Sequence, residues 1–425
     1  MHQTDNISLA IVGLGYVGLP LAVEFSNIRN VVGYDNNKLR INELNSGFDK
    51  TNEIHEEKIK QNKNLTFTSE LHKIKDANCY IICVPTPINN SNQPDLSILE
   101  SVTNEIGSIL KKGDIVIYES TVYPGCTEEV CVPILENVSS LIFNEDFFCG
   151  YSPERLSPGG SGPKLKDIIK VTSGSTKEIS ILVDNLYSSI ISAGTFNVDS
   201  IKIAEAAKVT ENTQRDLNIA LVNELAVICS KLNIDTLSVL EAAATKWNFN
   251  HFKPGLVGGH CIGVDPYYLT YKAAQIGYHP EVILAGRRVN NNIVSHITNH
   301  TIQLILNNKL ELNNASILIL GITFKENCPD TRNSKVIDLV QSFKKYKFNV
   351  DVYDPVVDID EKKKIKNINF IESIKKKYYT AIVIAVEHDE FISMGINKIK
   401  SYGMKNSIIY DVKGVFDIHE THGRL

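Results

Sequence analysis

The run Ile7-Ser8-Leu9-Ala10-Ile11-Val12-Gly13-Leu14-Gly15-Tyr16-Val17-Gly18 decides the fold. A short apolar stretch of strand length stops at a glycine, and a helical pattern follows through Leu21, Val23 and Phe25. A second apolar stretch, Val31–Tyr34, then ends in Asp35. Strand, Gly-x-Gly-x-x-Gly, helix, strand and an acid roughly twenty residues on is the pattern of a dinucleotide-binding βαβ unit. Gly13 is expected to make the tight turn, Gly15 to let a pyrophosphate approach the backbone, and Gly18 to let helix and strand pack closely. Unpaired N–H groups at the helix N-terminus would receive the phosphates. Asp35 would accept hydrogen bonds from the adenosine ribose and repel a 2′-phosphate. No arginine follows it directly, so NAD is expected over NADP.

Outward from this unit the alternation continues. Apolar runs at Cys79–Val84, Asp114–Tyr118, Phe147–Tyr151 and Ile168–Thr172 each end in a polar cluster, the last in Ser173-Gly174-Ser175. The carboxyl edge of an open parallel sheet is where ligands bind. Thr86, Thr121 and Glu154 therefore become candidates to face a nicotinamide and a substrate, with turn capping or an ion pair to Arg155 as the plainer explanations. Asp199–Leu232 has helical periodicity without proline or glycine, and Lys208, Asn212 and Arg215 share one face of it, as a solvated stripe or a convergent set. Glu281–Leu306 reads as a further helix; its Gly286–Asn292 stretch is polar and basic, which suits an interface or an anionic ligand better than a core. Ser316–Leu320, Gly321, a helix and Phe348–Asp354 repeat the opening pattern with an eroded fingerprint, and Lys325 is expected on phosphate or sugar. The reading is α/β: two Rossmann-like doubly wound parallel-sheet domains (1–196 and 307–425) joined by a central helical domain (197–306) with one long helix. The tail from Asp417 to Leu425 is polar and expected to be mobile.

The loop Gly255-Leu256-Val257-Gly258-Gly259-His260-Cys261-Ile262-Gly263-Val264-Asp265 has four glycines, expected to take positive φ and to approach a ligand. A cysteine in such a loop is accessible as a nucleophile in a way that one on an apolar strand is not. The eight cysteines show neither a CxxC pair nor a Cys/His metal spacing, so a reduced, cytoplasmic protein without a metal is expected. A net charge of −5 argues against nucleic acid as a general partner. With 43% hydrophobic residues the chain can build real cores, yet no apolar run is long enough to span a bilayer, and no signal peptide precedes Ile7.

The motifs GLGYVGLPLA (from Gly13), STVYPG (from Ser120), SPERLSPG (from Ser152), EAAKVTENTQRDLNIALVNE (from Glu205), GGHCIGVDPYYL (from Gly258) and GITFKENCPDTRNS (from Gly321) occur in this order. Together they resemble the UDP-glucose/GDP-mannose dehydrogenase family over nearly the whole chain. With His260 before the cysteine and Val264 before Asp265, the chain is similar to the branch acting on UDP-N-acetylhexosamines. The resemblance implies NAD-dependent four-electron oxidation of a sugar C6 alcohol to a carboxylate. UDP-N-acetylglucosamine is the expected substrate; UDP-N-acetylgalactosamine, and then UDP-N-acetylmannosamine or UDP-glucose, are the alternatives. Surface-polysaccharide synthesis (capsule or O-antigen) and a homodimer are implied with it.

It assigns Cys261 as nucleophile, Lys208 as acid/base or oxyanion stabiliser with Asn212 as its partner, and Asp265 with Thr121 as the pair ordering the hydrolytic water. Glu154 becomes a candidate base. Arg155, Arg215, Gly258, Phe324 and Lys325, with Glu154, Lys208 and Asn212, fall at substrate positions. Gly13, Gly15, Tyr16, Val17, Gly18, Asp35, Arg40, Thr86, Thr121 and Arg332 fall at cofactor positions. Arg287 or Arg288 is expected to reach a partner subunit's substrate. Two other readings share the first domain: a two-electron dehydrogenase with no use for Cys261, and a dinucleotide-sensing protein without catalysis.

Overall fold

The computed structural model describes residues 6–156 and 162–425, so the last three residues of the Ser152–Gly159 motif lie outside the described residues. The chain forms two compact units, residues 1–211 with 267–278, and residues 212–266 with 279–425. Each is built on a doubly wound sheet.

In the first unit the strands are β1 (Leu9–Val12), β2 (Val31–Tyr34), β3 (Leu65–Thr68), β4 (Cys79–Ile82), β5 (Ile115–Tyr118), β6 (Phe148–Tyr151), β7 (Lys170–Gly174) and β8 (Thr195–Asn197), in the order β3-β2-β1-β4-β5-β6-β7-β8. β1, β4 and β5 are apolar and fully buried, as strands covered on both faces by helices must be. The order reverses between β1 and β4, which opens the crevice that such sheets use for ligands.

One expectation fails here. β7 runs antiparallel to β6, pairing Gly150 with Gly174 and Tyr151 with Ser173. The Ser173–Ser175 cluster therefore lies at the opposite end of the sheet from the other polar clusters. The ligand edge receives the first residue of β7, Lys170, in its place. A buried apolar run looks the same in either direction, so periodicity could not have told the two apart.

The second unit holds β9 (Ser316–Leu320), β10 (Asn349–Tyr353), β11 (Asn369–Phe370), β12 (Tyr379–Ile384), β13 (Gly403–Asp411) and β14 (Gly423–Arg424), in the order β11-β10-β9-β12-β13-β14 and all parallel. That is the order of β3-β2-β1-β4-β5-β6 repeated. Along β9, Ile317 and Ile319 enter one core while Leu318 and Leu320 enter another on the opposite face. The tail expected to be mobile is built into this unit. β14 extends the sheet, Leu425 is buried, and Arg424 Nε donates to Asp235 at 2.7 Å.

Helices Ile201–Leu232, Thr236–Ala244 and Glu281–Asn307 make up the central region; the first belongs to the first unit up to Glu211 and to the second from Asn212. The polar stretch Gly286–Asn292 also corrects an expectation. Arg287 and Asn290 are buried, Arg287 Nη1 donates to Asp216 Oδ1 at 2.6 Å, and Asn290 donates to the same oxygen at 2.7 Å. The facing helix supplies a carboxylate, so these polar groups can sit in a core. Of the two arginines, Arg288 is the exposed one. Among the described residues no helix is long and apolar enough to cross a membrane, and no cluster of His, Cys, Asp and Glu could hold a metal ion.

Candidate active site

The three glycines of the opening fingerprint do three different things. Gly13 has φ +90, and its N–H donates to Tyr34 O at 2.8 Å. A Cβ on Gly18 would lie 1.8 Å from the Gly13 carbonyl oxygen, so the first helix, Gly18–Ser26, packs against the turn only because that atom is missing. A Cβ on Gly15 would meet nothing within 4 Å, which leaves open space in front of the helix N-terminus for a ligand. Asp35 Oδ2 accepts from Leu14 N at 2.9 Å and Oδ1 from Asn37 N at 2.9 Å, so the acid is held in place by the loop it faces. Tyr16 and Val17 are half-buried, and Val17 packs on the core.

Arg40, assigned to the cofactor, is otherwise engaged. It is buried, its Nε donates to Leu14 O at 2.9 Å, and its Nη2 donates to Asp49 at 2.8 Å. Burial pushes the Asp49 carboxyl up, but hydrogen bonds from Thr51 and Arg40 and the Arg40 charge outweigh it and hold the acid below its usual range. Arg40 thus supports the phosphate loop from behind.

At the carboxyl edge of the first sheet the candidate loops are tied to one another. Thr86 Oγ1 donates to Thr121 O at 2.6 Å, and Tyr268 donates to the Thr86 carbonyl at 2.9 Å. Lys170 is buried; its Nζ donates to Glu119 Oε2 at 2.6 Å and to Pro153 O at 3.0 Å, and Tyr187 donates to Glu119 Oε1 at 2.5 Å. This ion pair clamps the segment before Glu154 to the segment before Thr121. Lys208, buried on the long helix, donates to the Glu154 carbonyl. Glu154 does not pair with its neighbour: Arg155 bonds to Glu211 and to Ile169 O. Burial raises the Glu154 carboxyl above its usual range, opposed by the nearby charges of Lys208 and Lys170.

In the second unit the cysteine loop is anchored at its start. Asn223 accepts from Gly255 N at 2.8 Å and donates to Gly255 O at 3.0 Å, and it also donates to Asn290. Of the four glycines only Gly259 takes positive φ, +83. Gly258 is needed for a different reason, since a Cβ there would lie 2.5 Å from Asn333 O. Cys261 is half-exposed, whereas the other seven cysteines are buried. Burial pushes the thiols of Cys79, to about 12, and of Cys83 and Cys149 upward, which makes them inert.

The Cys261 carbonyl accepts from Asp265 N at 2.8 Å, one turn ahead of the helix Asp265–Gln275. Asp265 is buried and accepts from Asn212 at 2.5 Å; Asn212 in turn accepts from Arg215 at 3.3 Å. Lys208 and Asn212 are thus buried and engaged, and only Arg215 of that stripe is exposed. His260 sits 2.9 Å from Asp330 and packs on Phe324 with ring centroids 5.4 Å apart. Burial, with the Arg332 charge, lowers it to about 4 despite Asp330, so it is neutral at pH 7 and offers the thiol no positive charge.

The second sheet repeats the first turn bond for bond. Gly321 has φ +86, its N–H donates to Tyr353 O at 2.9 Å, and Ile322 N donates to Asp354 Oδ2 at 2.6 Å. Here the acid is fully buried beside His388, so it holds the loop and cannot read a ribose. His388 also accepts from Asn327 N at 2.9 Å. The loop so fixed presents Phe324 and Lys325 to a cleft lined with Gly258, Ser334, Lys335 and Lys413, at the N-terminus of the helix Lys335–Lys345. Three lysines at a helix N-terminus suit a diphosphate. Arg332, exposed, donates to Asp330 at 2.6 Å.

Comparison with known proteins gives a consistent result. Three family models match in succession: the UDP-glucose/GDP-mannose dehydrogenase family NAD binding domain over residues 7–191, its central domain over 202–292 and its UDP binding domain over 318–418. The chain is 54% identical over 425 residues (all of both chains) to a UDP-N-acetyl-D-glucosamine 6-dehydrogenase of Salmonella typhi. It is 53% identical over 420 residues (99% of this chain, all of the other) to a UDP-N-acetyl-D-glucosamine 6-dehydrogenase of Pseudomonas aeruginosa. Among solved structures, a UDP-D-ManNAc dehydrogenase from Pyrococcus horikoshii superposes with a TM-score of 0.86 at 31% identity, covering 98% of each chain.

Proposed function

Because the chain belongs to the UDP-glucose/GDP-mannose dehydrogenase family, we propose that it oxidises the C6 alcohol of UDP-N-acetyl-D-glucosamine to the carboxylate in two NAD-dependent steps, with Cys261 as nucleophile. The observation that carries this reading is full-length identity above half to two relatives named for that substrate. The half-exposed thiol among seven buried ones supports it. The residues of the first unit fit the cofactor: open space before Gly15, the N-terminus of the first helix behind it, and Asp35 fixed at the end of β2. NAD+, when bound, takes up one hydride in each oxidation.

The chain's own groups do the rest. Lys208 stabilises the oxygen of C6 as its proton leaves. The aldehyde that results has no second hydride to give until a nucleophile adds. Addition of the Cys261 sulfur gives a thiohemiacetal, which the second oxidation converts to a thioester. Asp265 and Thr121 order a water, and Glu154 takes its proton as hydrolysis releases the carboxylate and regenerates the thiol. Asn212 orients Asp265. Arg155, Arg215, Phe324 and Lys325 hold the nucleotide sugar, and Arg332 contributes to the cofactor.

The same reading makes the protein a cytoplasmic homodimer that supplies a uronate for surface polysaccharide, either capsule or O-antigen. Eight free cysteines suit a reducing compartment. Leu221, Ile228 and Leu232 leave an exposed apolar stripe on the long helix, of the kind a second copy covers.

Steady-state assay with UDP-N-acetylglucosamine should release two NADH per sugar, with kcat/KM at least about tenfold above that for UDP-N-acetylgalactosamine, UDP-N-acetylmannosamine or UDP-glucose. Preference for another of these sugars overturns the assignment. Asp35→Ala should raise KM for NAD roughly 10- to 100-fold and narrow the bias against NADP, as loss of a charge-assisted contact does. Asp35→Asn keeps an acceptor for Leu14 N and should spare the loop while still admitting NADP. Unchanged NAD affinity in both would refute the role of this acid.

A further inference from the structure

A buried carboxylate outside the proposed chemistry ties two of its parts together. Glu205 lies on the long helix one turn before Lys208 and is fully buried. Its Oε2 accepts from Gly125 N at 2.5 Å, and its Oε1 accepts from Thr127 N at 2.9 Å and from Thr127 Oγ1 at 2.7 Å. Gly125 closes the STVYPG turn with φ +96, and Thr127 opens a π-helical turn, Thr127–Cys131. Such turns are rare and concentrate at functional sites. The same helix therefore grips the Thr121–Thr127 loop through Glu205 and the Glu154 segment through Lys208. Burying a carboxylate is costly, and an apolar side chain of similar size would pack there without that cost. The groups that face it are Thr127, the Gly125 backbone, Glu128 and Cys126, with Glu129 and Lys202 beside Gly125. Burial lifts the Glu205 carboxyl to about 7 against the pull of the Thr127 and Gly125 bonds.

We infer that Glu205 is a positioning residue for the hydrolytic step: it fixes the loop carrying Thr121 in register with Lys208, so that water can attack the Cys261 thioester. The inference rests on the thiol mechanism proposed above. Glu205→Gln keeps an oxygen for Thr127 but turns an amide N–H2 toward the Gly125 N–H, which moves the loop without opening a cavity. Glu205→Asp keeps the charge at shorter reach.

The test measures kcat, KM for both substrates, Tm and the intact mass of enzyme quenched in acid during turnover with UDP-N-acetylglucosamine and NAD+. The E205Q enzyme should lose about 10- to 100-fold in kcat with both KM values within about threefold of wild type. Its Tm should stay within a few degrees, and a sugar-nucleotide acyl adduct on Cys261 should accumulate that wild type does not show. The E205D enzyme should fall between the two. Wild-type kcat in E205Q with no adduct, or loss of kcat that follows a fall in Tm with no adduct, overturns the inference. A Cys261→Ala control separates the two levels. If it is dead, such a result sinks only the role of Glu205; if it still releases two NADH per sugar, the thiol mechanism falls and this inference with it.

Discussion

Replacing Cys261 with serine should abolish the four-electron reaction, lowering kcat by roughly four orders of magnitude or more, the scale on which loss of a covalent nucleophile acts. Binding of NAD and of the nucleotide sugar should survive, because the loop is held by its backbone. The Cys261 carbonyl takes the Val264 and Asp265 N–H groups, Asn223 grips Gly255 from both sides, and none of these bonds needs the sulfur. Serine is close in shape, so the fold has no reason to respond. The same residue predicts a chemical result. With seven thiols buried and one half-exposed, iodoacetamide should modify the native enzyme once, at Cys261, with complete loss of activity and protection by UDP-N-acetylglucosamine. Two NADH per sugar from the C261S enzyme would end the thiol mechanism.

What the sequence revealed and what it hid divide along a physical line. Gly13, Gly18 and Asp35 were legible because a βαβ unit is local: spacing along the chain sets spacing in space. The repeat at Gly321 and Asp354 was legible for the same reason, down to matching turn bonds. Cys261 stood out because its glycine-rich surroundings exclude an ordinary core. The supports of these residues were not legible. Glu205 meets Gly125 across 80 residues, Arg287 meets Asp216 across 71, Lys170 meets Glu119 across 51 and Asn223 meets Gly255 across 32. Each is a polar residue in a helix or strand, and its pattern reads as surface until the partner that buries it is known. The polar stretch holding Arg287 was read as an interface or ligand face for this reason, and the bonds of Arg40 to Leu14 O and Asp49 were equally out of sight. Glu205 did carry a signal, its place one turn before Lys208 on one helix face, but nothing local pointed to its loop.

The glycine fingerprint makes the second large prediction, and a pair of substitutions separates its two functions. Gly18→Ala puts a Cβ 1.8 Å from the Gly13 carbonyl oxygen, 3.0 Å from the Gly13 carbonyl carbon and 3.2 Å from Cys83 Cβ. The obstacle is backbone, so no rotamer relieves it. Either the first helix slides away from β1 or the Gly13 turn moves, and that turn is pinned by the Gly13–Tyr34 and Leu14–Asp35 bonds. Overpacking of this kind costs about 1–3 kcal/mol. For a unit of this size that is a fall in Tm of roughly 3–10 °C. Displacing the helix N-terminus should also raise KM for NAD about 100-fold or more, since the phosphates depend on N–H groups fixed in one place. Gly15→Ala is the counterpart. Its Cβ would meet nothing within 4 Å and its backbone needs no positive φ, so Tm should hold within about a degree in the absence of cofactor. Yet that open space is where the pyrophosphate would lie, so NAD binding should weaken by a similar factor. Binding measured by calorimetry, with thermal melts of the cofactor-free protein, distinguishes the two. If the G15A protein binds NAD as tightly as wild type, the pyrophosphate does not approach this turn, and the first sheet holds its ligand elsewhere along the crevice.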